Sequence, residues 1–162
     1  MDKSALKPGN LRRIKSLASL TDEQLAAFLE FVEVVNCPHS ATLFKEGQPG
    51  DSMFFILDGQ MRVYTKTRKG EVIFLRMLDA GDAFGEVALL NQAPRSASVE
   101  AVRESVLLKI TSASLQQLIP QHPAAAAQFL YHLARTCGRQ LNDLTIKLRA
   151  RSEQADILSF LQ

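Results

Sequence analysis

Between residues 34 and 110 the chain is cut into short, β-rich runs by turn residues, and Gly47, Gly50, Gly59, Gly70 and Gly81 all stand at the cuts. Short strands at this spacing predict a sandwich or barrel rather than a parallel sheet, whose strands would be separated by crossover helices. Asp58-Gly59 is expected to join 53–57 to 60–65 as a hairpin, and Arg68-Lys69-Gly70-Glu71 to turn the chain into 72–78. Runs at 98–102 and 106–110 complete the set. The glycines fit turns in which a positive φ is often required.

Helical spacing frames this region on both sides. Thr21-Asp22-Glu23-Gln24 matches a capping box, and Leu25, Phe28, Leu29 and Val32 follow at helical intervals, which predicts a helix over 22–33. Upstream, residues 10–17 with Arg12, Arg13 and Lys15 read as a short basic helix with a solvated face. Downstream, Ser112 is placed to cap a short helix carrying Leu115, Leu118 and Ile119 and broken by Pro120. Pro123 fits the first turn of a long helix over 124–149. Along it Leu130, Leu133, Cys137, Leu141, Leu144 and Leu148 form an apolar seam of near-heptad period. Such a helix extends roughly 39 Å, so the seam packs on the chain's own barrel or pairs with a second copy. Ala155, Ile157, Leu158, Phe160 and Leu161 add a further amphipathic turn or two.

The chemistry gathers in Phe84-Gly85-Glu86-Val87-Ala88-Leu89-Leu90 and, after a short loop, Pro94-Arg95-Ser96-Ala97-Ser98-Val99. A glycine opening a short apolar helix allows close backbone approach, and the free N–H groups of a first helical turn accept negative charge. Arg95 adds a planar, charged fork that matches two oxygens of one phosphate. Glu86 would repel that phosphate, so its presence suggests an acceptor for a ligand hydroxyl, for which a ribose 2′-OH is suited. The bland alternative is an N-cap with a surface ion pair between Glu86 and Arg95.

Taken with Leu43-Phe44-Lys45-Glu46-Gly47-Gln48-Pro49-Gly50-Asp51, the run Ser52-Met53-Phe54-Phe55-Ile56-Leu57-Asp58-Gly59 and the lead-in Gly81-Asp82, these segments resemble the cyclic nucleotide-binding domain family. That family includes the catabolite activator protein, protein kinase A regulatory subunits and cyclic nucleotide-gated channels. The resemblance spans roughly residues 10 to 150. It implies a mainly β fold with flanking helices: a jelly-roll β-barrel (double-stranded β-helix) with N-terminal helices, a short phosphate-cassette helix and a long C-terminal helix. The whole chain is then one domain, with a helical segment at 1–33, the barrel at 34–110, its cassette at 84–99, and C-terminal helices at 111–162 that include a lid or dimer helix.

The resemblance also implies the roles of residues. Gly85, Val87 and Ala88 would offer backbone donors, Glu86 would hold the ribose 2′-OH, and Arg95 would take the phosphate oxygens. Ser96 would add a hydroxyl to phosphate or base, with Ala97 beside it. Val63 and Leu75 would touch the purine, or serve as plain core residues. Arg139, Gln140 and Asn142 are polar candidates for the base edge, or simply solvated. Serine at position 96 leans toward cAMP over cGMP, because the catabolite activator family pairs serine here with cAMP.

Composition bounds the rest. A hydrophobic fraction of 46%, a charged fraction of 22% and a net charge of +2 are ordinary for a folded domain and give no electrostatic reason to expect nucleic acid. No run approaches the roughly 18 apolar residues of a membrane span, so a cytoplasmic location is expected. Cys37 and Cys137 read as free thiols. His39, His122 and His132 form no metal-ligand spacing, and neither HExxH nor GxSxG occurs. We therefore expect no catalysis and no cofactor beyond the nucleotide ligand. The expected partners are a second copy through the 124–149 helix and an unknown effector protein. Two other classes stay open: the sensing half of a transcription regulator whose DNA-binding segment is missing, or an interaction module that has lost its ligand.

Overall fold

The computed structural model describes residues 6–160, with 151–160 described by their backbone alone. The chain divides into one compact unit that ends at Phe129 and a second that begins at Leu130.

The first unit opens with α1 (Pro8–Leu11), which is shorter than the basic helix expected over 10–17. Beyond it the chain advances by three-residue turns, Ile14 N–H to Leu11, Leu17 to Ile14 and Leu20 to Leu17, at 2.9–3.1 Å. The cause is legible in the spacing. Leu11, Ile14, Leu17 and Leu20 recur every three residues and are all buried, and a 3.0-residue turn keeps that stripe on one face. Next, α2 (Asp22–Glu30) starts at the expected capping box. Thr21 Oγ1 accepts from Gln24 N–H at 3.2 Å, and Gln24 Oε1 accepts from Thr21 N–H at 3.0 Å. The helix presents Leu25 and Phe28, both fully buried. Thr21→Ala is expected to lower the unfolding free energy by about 1 kcal/mol, read as a shifted urea midpoint at constant slope.

Eight strands follow. They are β1 (Glu33–Cys37), β2 (Thr42–Phe44), β3 (Ser52–Asp58), β4 (Gln60–Lys66), β5 (Val72–Asp79), β6 (Ala83–Phe84), β7 (Ser98–Ala101) and β8 (Ser105–Thr111). A short helix α3 (Glu86–Asn91) lies between β6 and β7. The strands make two four-stranded antiparallel sheets, ordered β1-β8-β3-β6 and β2-β7-β4-β5. This is the jelly-roll arrangement expected, mainly β with flanking helices. Phe54, Ile56, Met61, Leu78, Phe84 and Leu107 are among the side chains that fill the core between the sheets.

One connection differs from expectation. Asp58-Gly59 does not make a hairpin, because β3 and β4 lie in different sheets and the two residues turn a corner between them. Burial explains why. Six of the seven β3 residues are buried, and successive side chains of a strand point to opposite faces, so both faces are covered. On one side Phe55 packs edge-on against Phe28 at 5.7 Å and Phe129 at 6.0 Å, while on the other Phe54 stacks on Phe84 at 5.5 Å. Its ladder positions are taken by β8 and β6, which leaves none for β4.

The expected turn at 68–71 does lead from β4 into β5, and these two strands pair as a hairpin, with Gly70 at φ 85°. Among the other turn glycines, Gly47, Gly59 and Gly81 also have positive φ. Gly50 does not. It is small because a Cβ there would lie 2.8 Å from Arg95 Nε and 2.9 Å from Ala88 Cβ.

The helix α4 (Ser112–Gln121) is capped by Thr111 rather than Ser112, through Thr111 Oγ1 accepting from Ser114 N–H at 3.0 Å. Pro120 sits inside its last turn, and the helix ends one residue later. Then α5 (Pro123–Phe160) begins at Pro123 and runs for 38 residues, beyond the expected end at 149. Its first residues belong to the first unit, where Phe129 packs 5.1 Å from Phe28. In the second unit Leu133 is buried, whereas Leu141, Leu144 and Leu148 are 55–65% exposed. The side chains of Ala155, Ile157, Leu158, Phe160 and Leu161 fall outside those described.

Candidate functional site

Arg95 is the centre of the site, and three separate segments fix it. Its backbone is tied to the loop after β2, with Arg95 N–H donating to Gln48 O and Gly47 N–H to Arg95 O, both at 2.8 Å. Its guanidinium donates to Ser52 O at 2.6 Å and to Ser52 Oγ at 2.8 Å, at the start of β3. The same group lies 4.1 Å from the Phe44 ring centroid and 5.5 Å from that of Phe54. Stacked and hydrogen-bonded, the side chain is held flat and only 7% exposed. Burial draws its pKa below the ordinary guanidinium value, and the negative charge of Asp51 opposes that shift.

Opposite it, β6 delivers Gly85 to the start of α3. Gly85 has φ 89°, and an added Cβ would lie 3.0 Å from both Arg95 Nη1 and Ser52 O. Only glycine combines that backbone with that closeness. The N–H groups of Glu86, Val87 and Ala88 open α3 with no carbonyl behind them in the helix. Glu86 is buried, yet among the described residues its carboxylate makes no hydrogen bond or ion pair, and none forms with Arg95. The ion-pair alternative therefore does not describe this arrangement.

These groups open on one cavity. Its lining includes Gly85, Glu86, Val87, Ala88, Arg95, Ser96, Ala97 and Val63, which are eight of the nine residues singled out from the sequence. Leu75 is not among them and is half exposed on β5. It is the extra residue of a bulge: Tyr64 pairs with Phe74, but Val63 pairs with Arg76, so Leu75 has no partner across the ladder. Arg76 takes the place beside Val63 and lines the cavity. Phe44, Phe84, Pro94 and Val99 also line it; they lie in the segments that carry the family resemblance but had no individual role assigned from the sequence. Phe44 and Phe84 could have been found from the aromatic run 54–55 that they pack against; nothing in the sequence marks the bulge. Arg139, Gln140 and Asn142 lie in the second unit.

A tether reaches this site from the N-terminal turns. Lys15 Nζ donates to Asp82 Oδ1 at 2.6 Å and Lys15 N–H to Gly81 O at 3.0 Å, just ahead of β6. Hydrogen bonding to Asp82 raises the Lys15 pKa. Desolvation acts to raise that of Asp82, but hydrogen bonds from Lys15 and the Asp79 backbone, with the charges of Lys15 and Arg76, outweigh it and hold the carboxyl below its ordinary value. Among the described residues no group of three His, Cys, Asp or Glu side chains could hold a metal ion, and no helix is long and apolar enough to cross a membrane.

Comparison with known proteins agrees with this geometry. The sequence model of the cyclic nucleotide-binding domain matches residues 34–122. The chain is 28% identical over 120 residues to a CRP-like cAMP-activated global transcriptional regulator of Mycobacterium tuberculosis, covering 74% of this chain and 54% of the relative. It is 32% identical to the cAMP-dependent protein kinase regulatory subunit of Colletotrichum orbiculare, covering 67% of this chain and 27% of that one. It thus spans about half the length of the first relative and about a quarter of the second. Among solved structures, the catabolite activator protein of Thermus thermophilus superposes with a TM-score of 0.77 at 26% identity, over 85% of this chain and 62% of that one. The N-terminal domain of a Streptomyces coelicolor transcriptional regulator gives 0.73 at 29%, over 83% and 94%.

Proposed function

The chain belongs to the cyclic nucleotide-binding domain family, and from that premise we propose that it binds a cyclic mononucleotide, cAMP ahead of cGMP, and acts as a non-catalytic cytoplasmic sensor. The reading is carried by one observation: Arg95, the unpartnered carboxylate of Glu86 and the first turn of α3 open on a single cavity. A cyclic phosphate has two free oxygens and one negative charge. The Arg95 fork and the N–H groups of Glu86, Val87 and Ala88 supply donors for both, and Ser96 adds a hydroxyl. Glu86 accepts from the ribose 2′-OH, which satisfies a carboxylate that otherwise has no protein donor. The lean to cAMP rests on Ser96 and on two relatives whose names carry cAMP.

Binding becomes a signal by population shift. A ligand held at both Arg95 and α3 favours the arrangement in which the cassette is drawn in, and the long C-terminal helix moves with it. A tenfold preference for that state supplies about 1.4 kcal/mol. Calorimetric titration with cAMP, cGMP and 5′-AMP tests the reading. Saturable one-to-one binding of a cyclic nucleotide is expected. Absence of heat with both cyclic nucleotides would sink the proposal, and equal binding of 5′-AMP would reduce the site to a general anion cradle.

The C-terminal helix also serves as a dimer seam in this reading, since Leu141, Leu144 and Leu148 are exposed at near-heptad spacing. Leu141→Asp is expected to shift sedimentation from dimer to monomer; monomeric behaviour of both proteins would remove the seam. A second reading, the sensing part of a transcription regulator, is favoured by the Streptomyces coelicolor N-terminal domain, 94% of which this chain covers.

A further inference from the structure

The chain that enters α3 has little ladder behind it. Strand β6 is two residues long, Ala83 and Phe84 paired with Phe55 and Phe54 of β3, and Gly85 follows at once. So brief a strand leaves the direction of the lead-in to whatever holds Gly81 and Asp82. Asp82 joins three segments there. Its carbonyl accepts from Ile56 N–H on β3 at 2.9 Å, and its Oδ2 accepts from Asp79 N–H at the end of β5, also at 2.9 Å. Its Oδ1 accepts from Lys15 Nζ of the N-terminal turns at 2.6 Å. Those turns make a firm platform, because Leu11, Ile14, Leu17 and Leu20 are buried and Lys15 N–H is itself bonded to Gly81 O at 3.0 Å. The approach is close: a Cβ at Gly81 would lie 2.6 Å from Arg13 O. Neither Lys15 nor Asp82 lines the cavity.

We infer that Lys15 and Asp82 are positioning residues: their ion pair pins the start of α3 opposite Arg95 from outside the cavity and makes the N-terminal turns part of the binding apparatus. The inference rests on the cyclic mononucleotide reading above. A phosphate shared between two sets of donors needs both at the right separation, with a tolerance of about 0.5 Å. Arg95 is fixed on its side by Ser52 and Phe44. On the other side the N–H groups of α3 depend on backbone that runs back through β6 to Asp82. Losing the Lys15 contact leaves Asp82 bonded to β3 and β5 but frees the lead-in to shift away from the N-terminal turns. The Lys15 side chain is largely exposed, so the expected effect is a few-fold rather than orders of magnitude.

The full chain, Lys15→Met, Asp82→Asn, the double variant and Lys15→Arg are titrated with cAMP and with cGMP, with circular dichroism to check folding and urea unfolding to read stability. Asparagine keeps an acceptor for Asp79 N–H and loses the charge. Lys15→Met and Asp82→Asn are each expected to weaken binding about threefold, and the double variant no further, because the two changes remove one interaction. Lys15→Arg is expected to keep the parent affinity, since it restores the charge. Affinity within about 1.5-fold of the parent in both single variants overturns the inference while leaving the nucleotide reading intact, and a lowered urea midpoint in that case assigns the pair to the fold alone. Losses that add in the double variant, or that Lys15→Arg fails to restore, overturn it as well. Should Asp82→Asn not fold, the lysine variants decide: loss in Lys15→Met with recovery in Lys15→Arg supports the inference, and any other result overturns it. If the parent chain binds neither nucleotide, the inference falls together with the reading beneath it.

Discussion

Arg95→Ala is expected to weaken binding of a cyclic mononucleotide by about 1.5–3 kcal/mol, the range for loss of a hydrogen bond to a charged group. The expected loss is large because the side chain is only 7% exposed and pre-set: Ser52 and the Phe44 ring fix the fork before any ligand arrives. The same contacts complicate the variant. Removing the guanidinium takes a hydrogen bond from the Ser52 carbonyl, so stability falls together with affinity, and the titration must be run where circular dichroism shows a folded protein. Ser52→Ala is the companion variant, since it removes the hydroxyl partner and leaves the arginine in place. It is expected to retain binding. Arg95→Lys is expected to resemble the alanine variant, because an ammonium cannot span two Ser52 oxygens and a phosphate with one planar fork. Unchanged affinity in Arg95→Ala would remove the clamp.

Gly59→Ala is expected to cost about 2–5 kcal/mol of folding stability. Two penalties combine. The corner between β3 and β4 holds Gly59 at φ 105°, which an L side chain adopts at a cost of about 1–2 kcal/mol. An added Cβ would also lie 2.1 Å from Ser105 Oγ and 2.5 Å from Ser105 Cα, so the start of β8 must shift, and overpacking of that kind costs about 1–3 kcal/mol. Gly70→Ala separates the two terms, because Gly70 has φ 85° but nothing within 4 Å of the added Cβ. It is expected to cost about 1 kcal/mol, the backbone term alone. Urea unfolding of both variants reads the difference, and equal losses would show that contact with Ser105 contributes nothing.

Much of this architecture was legible because local rules and tertiary demands coincide. The capping box at Thr21 formed as written, since its two hydrogen bonds need only residues three apart. The Gly70 turn and the proline opening α5 are likewise local decisions. Where local rules leave a choice, tertiary packing decided. Residues 10–17 carry helix-forming cations, yet the three-residue spacing of their buried side chains set the backbone. Asp58-Gly59 suits a two-residue hairpin, yet the strand before it is buried on both faces and already paired on both edges.

The candidate site divides along the same line. The glycine, the carboxylate and the arginine at positions 85, 86 and 95 stand within one short stretch, so their chemistry could be read from residue types and order alone. What the guanidinium touches could not, because Ser52 and Phe44 lie far away in sequence and meet it only when both sheets are closed. The β4–β5 side of the cavity was the least legible part. An unbroken ladder from the Gly70 turn would set Leu75 opposite Val63, but one bulge moves Arg76 there instead. A single-residue slip exchanges an apolar side chain for a cation in the cavity. The sequence by itself thus determined the strand-rich texture, most of the turns and the residue chemistry of the candidate site at positions 85, 86 and 95, all of which rest on short-range geometry. Only the tertiary structure decided which strands share a sheet, what holds Arg95, and which residue of β5 faces the cavity, since each depends on register and burial across segments distant in sequence.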